Sequence, residues 1–169
     1  RQALESEPDN PEANFNLGLL QAERRQPQVA ENHLRTALQS DPQMAPAAYN
    51  LCVMLGTRGS GEAIDFCRQA AKLRPYDERY AWTLGYYQSR LGDPESAVVT
   101  LEELVRTRPA FLDGYFLLAD IYVQMGQPER AKDSYRRALT NAAKTPSDRA
   151  RLTSLRRRIE AYGLPSSPN

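Results

Sequence analysis

Few side chains in this sequence have both the type and the company that catalysis needs. The single histidine, His33, has no cysteine or carboxylate cluster at matching helical spacing, so nothing around it is arranged for metal ligation or acid–base work. It reads as solvated surface. The two cysteines, Cys52 and Cys67, form no C-x-x-C pair and no C-x-x-C-H motif, so neither a zinc knuckle nor a covalent haem is indicated. No glycine-rich phosphate loop and no nucleophile–base set stand out. Catalysis by this chain alone is therefore the least favoured reading, and no cofactor or metal is expected. Arg149, Arg151 and the run Arg156–Arg158 could draw an acidic partner, lipid headgroups or RNA. The simpler reading makes them the wet side of an amphipathic helix.

Composition narrows the class. Hydrophobic residues make up 41% and charged residues 25% of 169 positions, the balance of a globular protein. The apolar runs are a few residues long, such as Phe116–Ala119, far from the roughly 18–20 that span a bilayer. The expectation is a soluble protein with no membrane span. The compartment stays open between a bacterial periplasm and a cytoplasm. Net charge is +1 but uneven: from Arg130 onward ten Lys or Arg stand against three Asp or Glu, and before it twelve stand against eighteen. A dedicated nucleic-acid binder concentrates positive charge along its binding face. An acidic body with a basic end suits a protein or peptide partner better, and no nucleic acid is expected.

The elements that would hold any site recur along the chain. Segments 11–44, 45–77, 78–111 and 112–145 align; three are 34 residues long and the second is 33, one residue shorter at its internal turn. Each reads as two helices. The first carries apolar residues at helical spacing, as in Phe15, Leu19 and Ala22, and the second repeats the pattern, as in Ala97, Leu101, Leu104 and Val105. Gly92 and Gly126 suit a left-handed helix end. Asp93 can cap the next helix, Pro94 and Pro128 fit a first helical turn, and Pro42, Pro75 and Pro109 stop each second helix. Small residues share positions: Gly18, Cys52, Gly85 and Ala119 in one register, Ala30, Ala63, Ala97 and Ala131 in another. They let antiparallel helices approach closely, and stacking of neighbours buries the face a lone hairpin leaves wet. Gly56, Gly59 and Gly61 are expected to loosen the internal turn of the second segment. Ser147–Tyr162 reads as a capping helix with Leu152, Leu155, Ile159 and Tyr162 on one stripe, within 146–162, and 163–169 as a loose tail.

These positions resemble the tetratricopeptide repeat family. Leu17-Gly18, Ala30, Leu34, Ala37 and Pro42 carry the likeness in the first segment, and Leu84-Gly85, Ala97, Leu101 and Pro109 in the third. The fourth has Leu118-Ala119, Tyr122, Ala131, Tyr135 and Ala138, with Ala143 in place of the closing proline. The resemblance implies an all-α, right-handed α-solenoid of stacked antiparallel helix hairpins: four repeats plus a C-terminal capping helix. Arg1–Asn10 resembles the end of a preceding repeat, so the chain is expected to be part of something longer. In such a hairpin Cys52 and Cys67 fall on facing helices at positions the family keeps buried. They read as small core residues, with a disulfide as the alternative if their Cα atoms lie within about 7 Å.

The resemblance also places a groove on the first helices. The family's groove-lining fifth position holds Phe15, Tyr49, Trp82 and Phe116, and rigid aromatics anchor a partner at low entropic cost. Packing between repeats is the competing role. Beside them lie Asn16 and Asn50, whose amides can bond both backbone groups of an extended peptide, with Leu19, Val53, Arg79, Tyr86 and Asp120 completing the candidate peptide-binding groove. The family's clamp for a peptide carboxylate is not expected, because the matching positions Phe15, Leu19, Asn50, Arg79 and Thr83 supply too few cations. The function implied is a scaffold that binds a peptide or helix of a partner protein. Alternatives are an accessory or assembly domain of a larger protein, with a faint likeness to repeat tails of bacterial multihaem cytochromes, and an RNA-binding α-solenoid.

Overall fold

In the computed structural model, residues 8–141 and 144–161 are described. The expected end of a preceding repeat falls mostly outside them, as do Ala143, Tyr162 and the expected tail. The described residues form nine helices and no strand, in two units divided after Tyr87. The N-terminal unit holds α1 (Pro11–Glu23), α2 (Pro27–Ser40), α3 (Ala45–Thr57), α4 (Ala63–Leu73) and most of α5 (Glu78–Arg90). The C-terminal unit holds the end of α5, then α6 (Pro94–Thr107), α7 (Leu112–Gln124), α8 (Pro128–Asn141) and α9 (Pro146–Ala161).

Local chemistry sets the helix ends. Prolines open α1, α2, α6 and α8, where a first-turn N–H has no partner to lose. Asn10 and Asp93 accept hydrogen bonds from the N–H groups of Ala13 and Ser96, capping α1 and α6. Helices α1, α3, α5 and α7 all close with one motif, in which an N–H just past the helix reaches back five residues. Gln26 donates to Gln21 at 2.9 Å, Ser60 to Leu55 at 3.0 Å, Asp93 to Gln88 at 2.8 Å and Gln127 to Tyr122 at 2.8 Å. The residue before each donor must be left-handed. Gly59, Gly92 and Gly126 serve in three motifs with φ of 76°, 96° and 69°, but Arg25 takes φ of 59° in the first.

In the N-terminal unit, α1 packs on α2, α2 on α3 and α3 on α4. Ala30, Leu34, Ala37, Ala47, Ala48, Leu51, Ala63 and Ala70 are fully buried between them. Burying a leucine such as Leu34 or Leu51 stabilises by about 1.5–3 kcal/mol. Close approach depends on the small positions. A Cβ on Gly18 would lie 2.8 Å from Leu34 Cγ, so glycine is what lets α1 reach α2.

Two expectations about the second segment are corrected. Gly56 does not loosen a turn; it lies inside α3, and a Cβ there would stand 2.4 Å from the Tyr87 ring. Its hydrogen makes room for that ring, whose hydroxyl donates to the Val53 carbonyl at 3.2 Å. Cys52 and Cys67 are not free core thiols. They are joined as a disulfide, with Cα atoms 4.9 Å apart and both residues buried. The small positions bring the two helices within the distance a disulfide spans.

In the C-terminal unit, α6 packs on α7, α7 on α8, and α9 on both α8 and α7. Tyr115, Leu118, Ile121 and Tyr122 of α7 are buried, as are Leu152 and Leu155 of α9. Thr100 Oγ1 donates to Gln88 Oε1 at 2.8 Å, tying the end of α5 to α6.

Two substitutions test the backbone reading. Arg25→Gly should raise stability by about 0.5–1 kcal/mol, because a left-handed non-glycine costs about 1–2 kcal/mol and the looser unfolded chain gives part of that back. Gly56→Ala should lower it by about 1–3 kcal/mol through overpacking against Tyr87. Urea denaturation of each variant beside the parent reads both, and opposite signs are expected.

Candidate functional site

The aromatic side chains of α3 and α5 do not act singly. Tyr49 stacks on Tyr80 with ring centroids 4.7 Å apart and planes 23° from parallel. One turn further along α5, Trp82 and Tyr86 stack at 5.4 Å and 8°. Tyr86 in turn meets Tyr87 edge-on at 5.1 Å and 71°. Tyr80 and Tyr87 are buried, while Tyr49, Trp82 and Tyr86 are half-buried. Buried rings thus back partly exposed ones, and each pairing fixes the orientation of the outer ring. Tyr80 and Tyr87 were not among the sequence candidates. Their signal is the density of aromatics on α5, where Tyr80, Trp82, Tyr86 and Tyr87 fall within eight residues.

The other candidates of the N-terminal unit flank this cluster in sequence. Phe15, Leu19 and Val53 are half-buried, and Asn16 is exposed. Asn50 Nδ2 donates to the Pro46 carbonyl of its own helix at 2.8 Å, so the amide is oriented by α3. Arg79 is bound to Asp77 through Nε at 2.9 Å and Nη2 at 2.6 Å, and its backbone N–H donates to the same carboxylate at 3.1 Å. Those bonds from Arg79 hold the Asp77 carboxyl below its usual range. The one cation among the candidates is therefore matched by an anion two residues away, which agrees with the weak case for a carboxylate clamp.

His33 corrects another expectation, that of a solvated surface side chain. It is half-buried, and its Nδ1 lies 2.9 Å from Asn14 Oδ1. Asn14 is buried and spends its Nδ2 on the carbonyls of Pro8 at 2.8 Å and Asn10 at 3.0 Å. Its oxygen must therefore face the ring, and His33 Nδ1–H is the donor. The pair ties α1 to α2, and the bond to Pro8 adds the segment before α1. Among the described residues no group of three or more His, Cys, Asp or Glu is placed to hold a metal.

The C-terminal unit carries the remaining candidates, Phe116 and Asp120, both half-buried on α7. The Arg151 guanidinium of α9 sits 5.0 Å from the centroid of Phe116 and pairs with Asp113. Arg151 is thus engaged with α7, where a purely wet role was expected. Phe116 has one face taken by its own chain.

On the second-helix side of this unit a groove of about 870 Å³ opens between α6, α7 and α8. Sequence reasoning missed the cluster along it. Arg137 donates to both oxygens of Glu102 at 3.1 and 2.8 Å, and Tyr122 Oη donates to the same carboxylate at 3.0 Å. Arg130 lies 4.4 Å over the Tyr122 ring. Burial pushes the Tyr122 phenol up, and with the bond to Glu102 it reaches about 12. Burial works against the charge on Glu102, yet the bonds from Arg137 and Tyr122 hold its carboxyl below the usual range. Arg137 is paired with Glu102 and, at 3.7 Å, with Asp133, while Arg130 donates to Gln127 Oε1 at 3.0 Å and faces the Tyr122 ring.

Models of the tetratricopeptide repeat match this chain at residues 1–45 and 112–145. Among solved structures the chain is similar to MamA, with 23% identity over 83% of this chain and 82% of that one, and a TM-score of 0.72. It is similar to PilF of Pseudomonas aeruginosa at 22% identity over 96% and 78%, TM-score 0.67. It is also similar to YrrB, described as a TPR protein with an unusual peptide-binding site, at 16% identity over 95% and 90%, TM-score 0.68. At such identities the likeness is one of fold. No curated protein matches the chain. Among the described residues no helix is long and apolar enough to cross a membrane.

The Glu102 cluster predicts a pH dependence. A carboxyl held low in the fold adds stability above its unfolded pKa, near 4.5, and loses it as pH falls through the folded value. Glu102→Gln should lower stability at pH 7 by about 1 kcal/mol, discounted for solvent screening. The gap to the parent should close below about pH 4. Melting curves of both proteins from neutral to acid pH read the closure, and a constant gap would contradict the assignment.

Proposed function

The chain belongs to the tetratricopeptide repeat family, and from that premise we propose that it is a protein-interaction module whose first-helix face in the N-terminal unit receives an uncharged, apolar segment of a partner. The observation that carries this reading is the parallel Trp82–Tyr86 pair, half-buried on α5 and backed by Tyr87. A flat, rigid aromatic surface whose rotamers are already held by neighbours loses little entropy when it is covered. Tyr49 on Tyr80 adds a second such surface from α3.

Charge sets the chemistry of the ligand. Arg79 is neutralised by Asp77, and Phe15, Asn16, Leu19, Asn50 and Val53 carry no charge. A charged segment would be desolvated against these uncharged side chains, at a cost that aromatic contact does not return. An uncharged segment with aromatic, aliphatic or proline side chains meets no such penalty. Adjacent helices lie about 8–10 Å apart and an extended chain advances about 3.3 Å per residue, so anchors from α1, α3 and α5 would meet roughly every third residue of it. YrrB, whose fold this chain shares, is itself described as having a peptide-binding site.

Selection from a random displayed peptide library tests the reading. The expected result is enrichment of uncharged, apolar sequences whose binding to the purified chain weakens at least about tenfold on Trp82→Ala, which corresponds to about 1.4 kcal/mol. Thermal stability should change little. If Trp82 served only as core, truncation would cost about 3–5 kcal/mol and melting would drop steeply. Selected peptides that are acidic, or that bind Trp82→Ala as tightly as the parent, would count against the proposal.

A further inference from the structure

We infer that this chain matures by thiol oxidation and works in an oxidising compartment, with the Cys52–Cys67 bond as the element that closes its second hairpin. The inference stands whether or not the aromatic face binds a peptide. It begins from the repeat register. Cys52 occupies the position of Gly18, and Cys67 that of Leu34. In the first hairpin those two positions are in direct contact, for a Cβ on Gly18 would lie 2.8 Å from Leu34 Cγ. A glycine facing a leucine fills the space with one large side chain. Two cysteines fill it from both sides, and their sulfurs meet in the middle.

The geometry suits a bond. The Cα atoms are 4.9 Å apart, inside the range of about 4.4–6.8 Å that disulfides span. Both residues are buried, at 0% and 2% exposure. A pair of reduced thiols in this place would be two small side chains where the first hairpin has a leucine, and would leave contacts unmade.

The connection between the two helices gives a second reason. The other first-to-second helix turns lead into helices that begin with proline at Pro27, Pro94 and Pro128, whereas α4 begins at Ala63 without one. Its N-cap, Glu62, makes no capping bond, and its carboxylate is held instead by Arg35 at 2.8 and 2.7 Å. Gly61 adds a second glycine to the turn beside Gly59, where each of the other turns has at most one. α4 has 11 residues where α2, α6 and α8 have 14. A weakly specified turn and a short helix leave this hairpin dependent on a contact that brings α3 and α4 together, and the disulfide is that contact.

The chemistry is ordinary thiol–disulfide exchange. One cysteine thiolate attacks a sulfur of an oxidant disulfide, such as an oxidoreductase active site, and expels a thiolate. The second cysteine thiolate attacks the mixed disulfide, forms the Cys52–Cys67 bond and expels the other. The two electrons pass to the oxidant, and the two thiol protons end on its leaving sulfurs. Because both cysteines are buried in the folded hairpin, exchange has to precede the packing of α3 on α4. Once packed, the bond is shielded from reductants.

Thiol trapping in the cell that makes the protein tests this directly. Cells expressing the chain from its own gene are treated with a membrane-permeant maleimide before lysis. The protein is then unfolded and its adducts are counted by mass spectrometry. Neither cysteine should be modified, and both should become modifiable after reduction. Two adducts without reduction would overturn the proposal. A second measurement covers the structural part. Reduction in denaturant followed by refolding in reductant should lower Tm by about 6–12 °C, given a loop of 15 residues between the cysteines. The double variant Cys52→Ala/Cys67→Ala should melt near the reduced parent and ignore the reductant. A Tm that reduction leaves in place would show that the hairpin closes without the bond.

Discussion

Everything in the described fold depends on how closely neighbouring helices approach. The approach is set at a few positions where a side chain is missing or minimal: Gly18 against Leu34, Gly56 against the Tyr87 ring, Gly114 against Val105 and Cys52 against Cys67. At the three glycines an added Cβ would sit 2.4–2.9 Å from its neighbour, closer than packed carbon atoms lie. Backbones brought this near make each larger side chain beside them into filler for a shallow interspace, which is why so much of the core is alanine and leucine. The same nearness turns two cysteines into a covalent bond. Packing, turn chemistry and crosslinking are consequences of one distance.

That constraint also sorts the aromatic residues. Rings that fall between helices are used up by the fold, as Tyr80, Tyr87, Tyr115 and Tyr122 are. Tyr49 rests on Tyr80 and Tyr86 on Tyr87, Trp82 stacks on Tyr86, and these three keep part of their surface. The two populations depend on each other. Without Gly56 the Tyr87 ring could not sit against α3, and Tyr86 would lose the edge-on contact that orients it. Packing of the inner rings is thus compatible with the role proposed for the outer ones. The inner rings pack so that the outer ones hold one orientation.

The helices were legible in the sequence because their determinants are local: prolines in first turns, glycines after helix ends, and apolar residues at a helical period repeated four times. So was the placement of Tyr49 and Trp82 on first helices. What was not legible arises mostly between helices. Arg137 finds Glu102 across 35 residues, and Arg151 finds Phe116 across the same count of positions, through rotamers that a repeat register does not specify. His33 looked solvated because its own helix offers no partner, yet Asn14 reaches it from the facing helix. Arg25 kept the left-handed turn although it is not glycine, since the backbone bonds of that motif outweigh a strain of about 1–2 kcal/mol. Cys52 was visible at an aligned small position, but only the register of Gly18 and Leu34 says that it touches Cys67.

Charge works in the same indirect way. The arginine-rich sequence reads as a source of cationic surface, yet Arg35, Arg58, Arg68, Arg79, Arg106, Arg137 and Arg151 each stand beside a carboxylate. Most of these pairs are exposed and contribute little to stability individually. Their effect is on recognition, because an arginine already held by its own neighbour offers less to an incoming anion than a bare one. Five of these seven arginines lie before Arg130, so the pairing bears mainly on the mildly acidic body of the chain. Under the proposed function, selectivity would fall to shape and apolar contact, which the oriented rings of α3 and α5 offer.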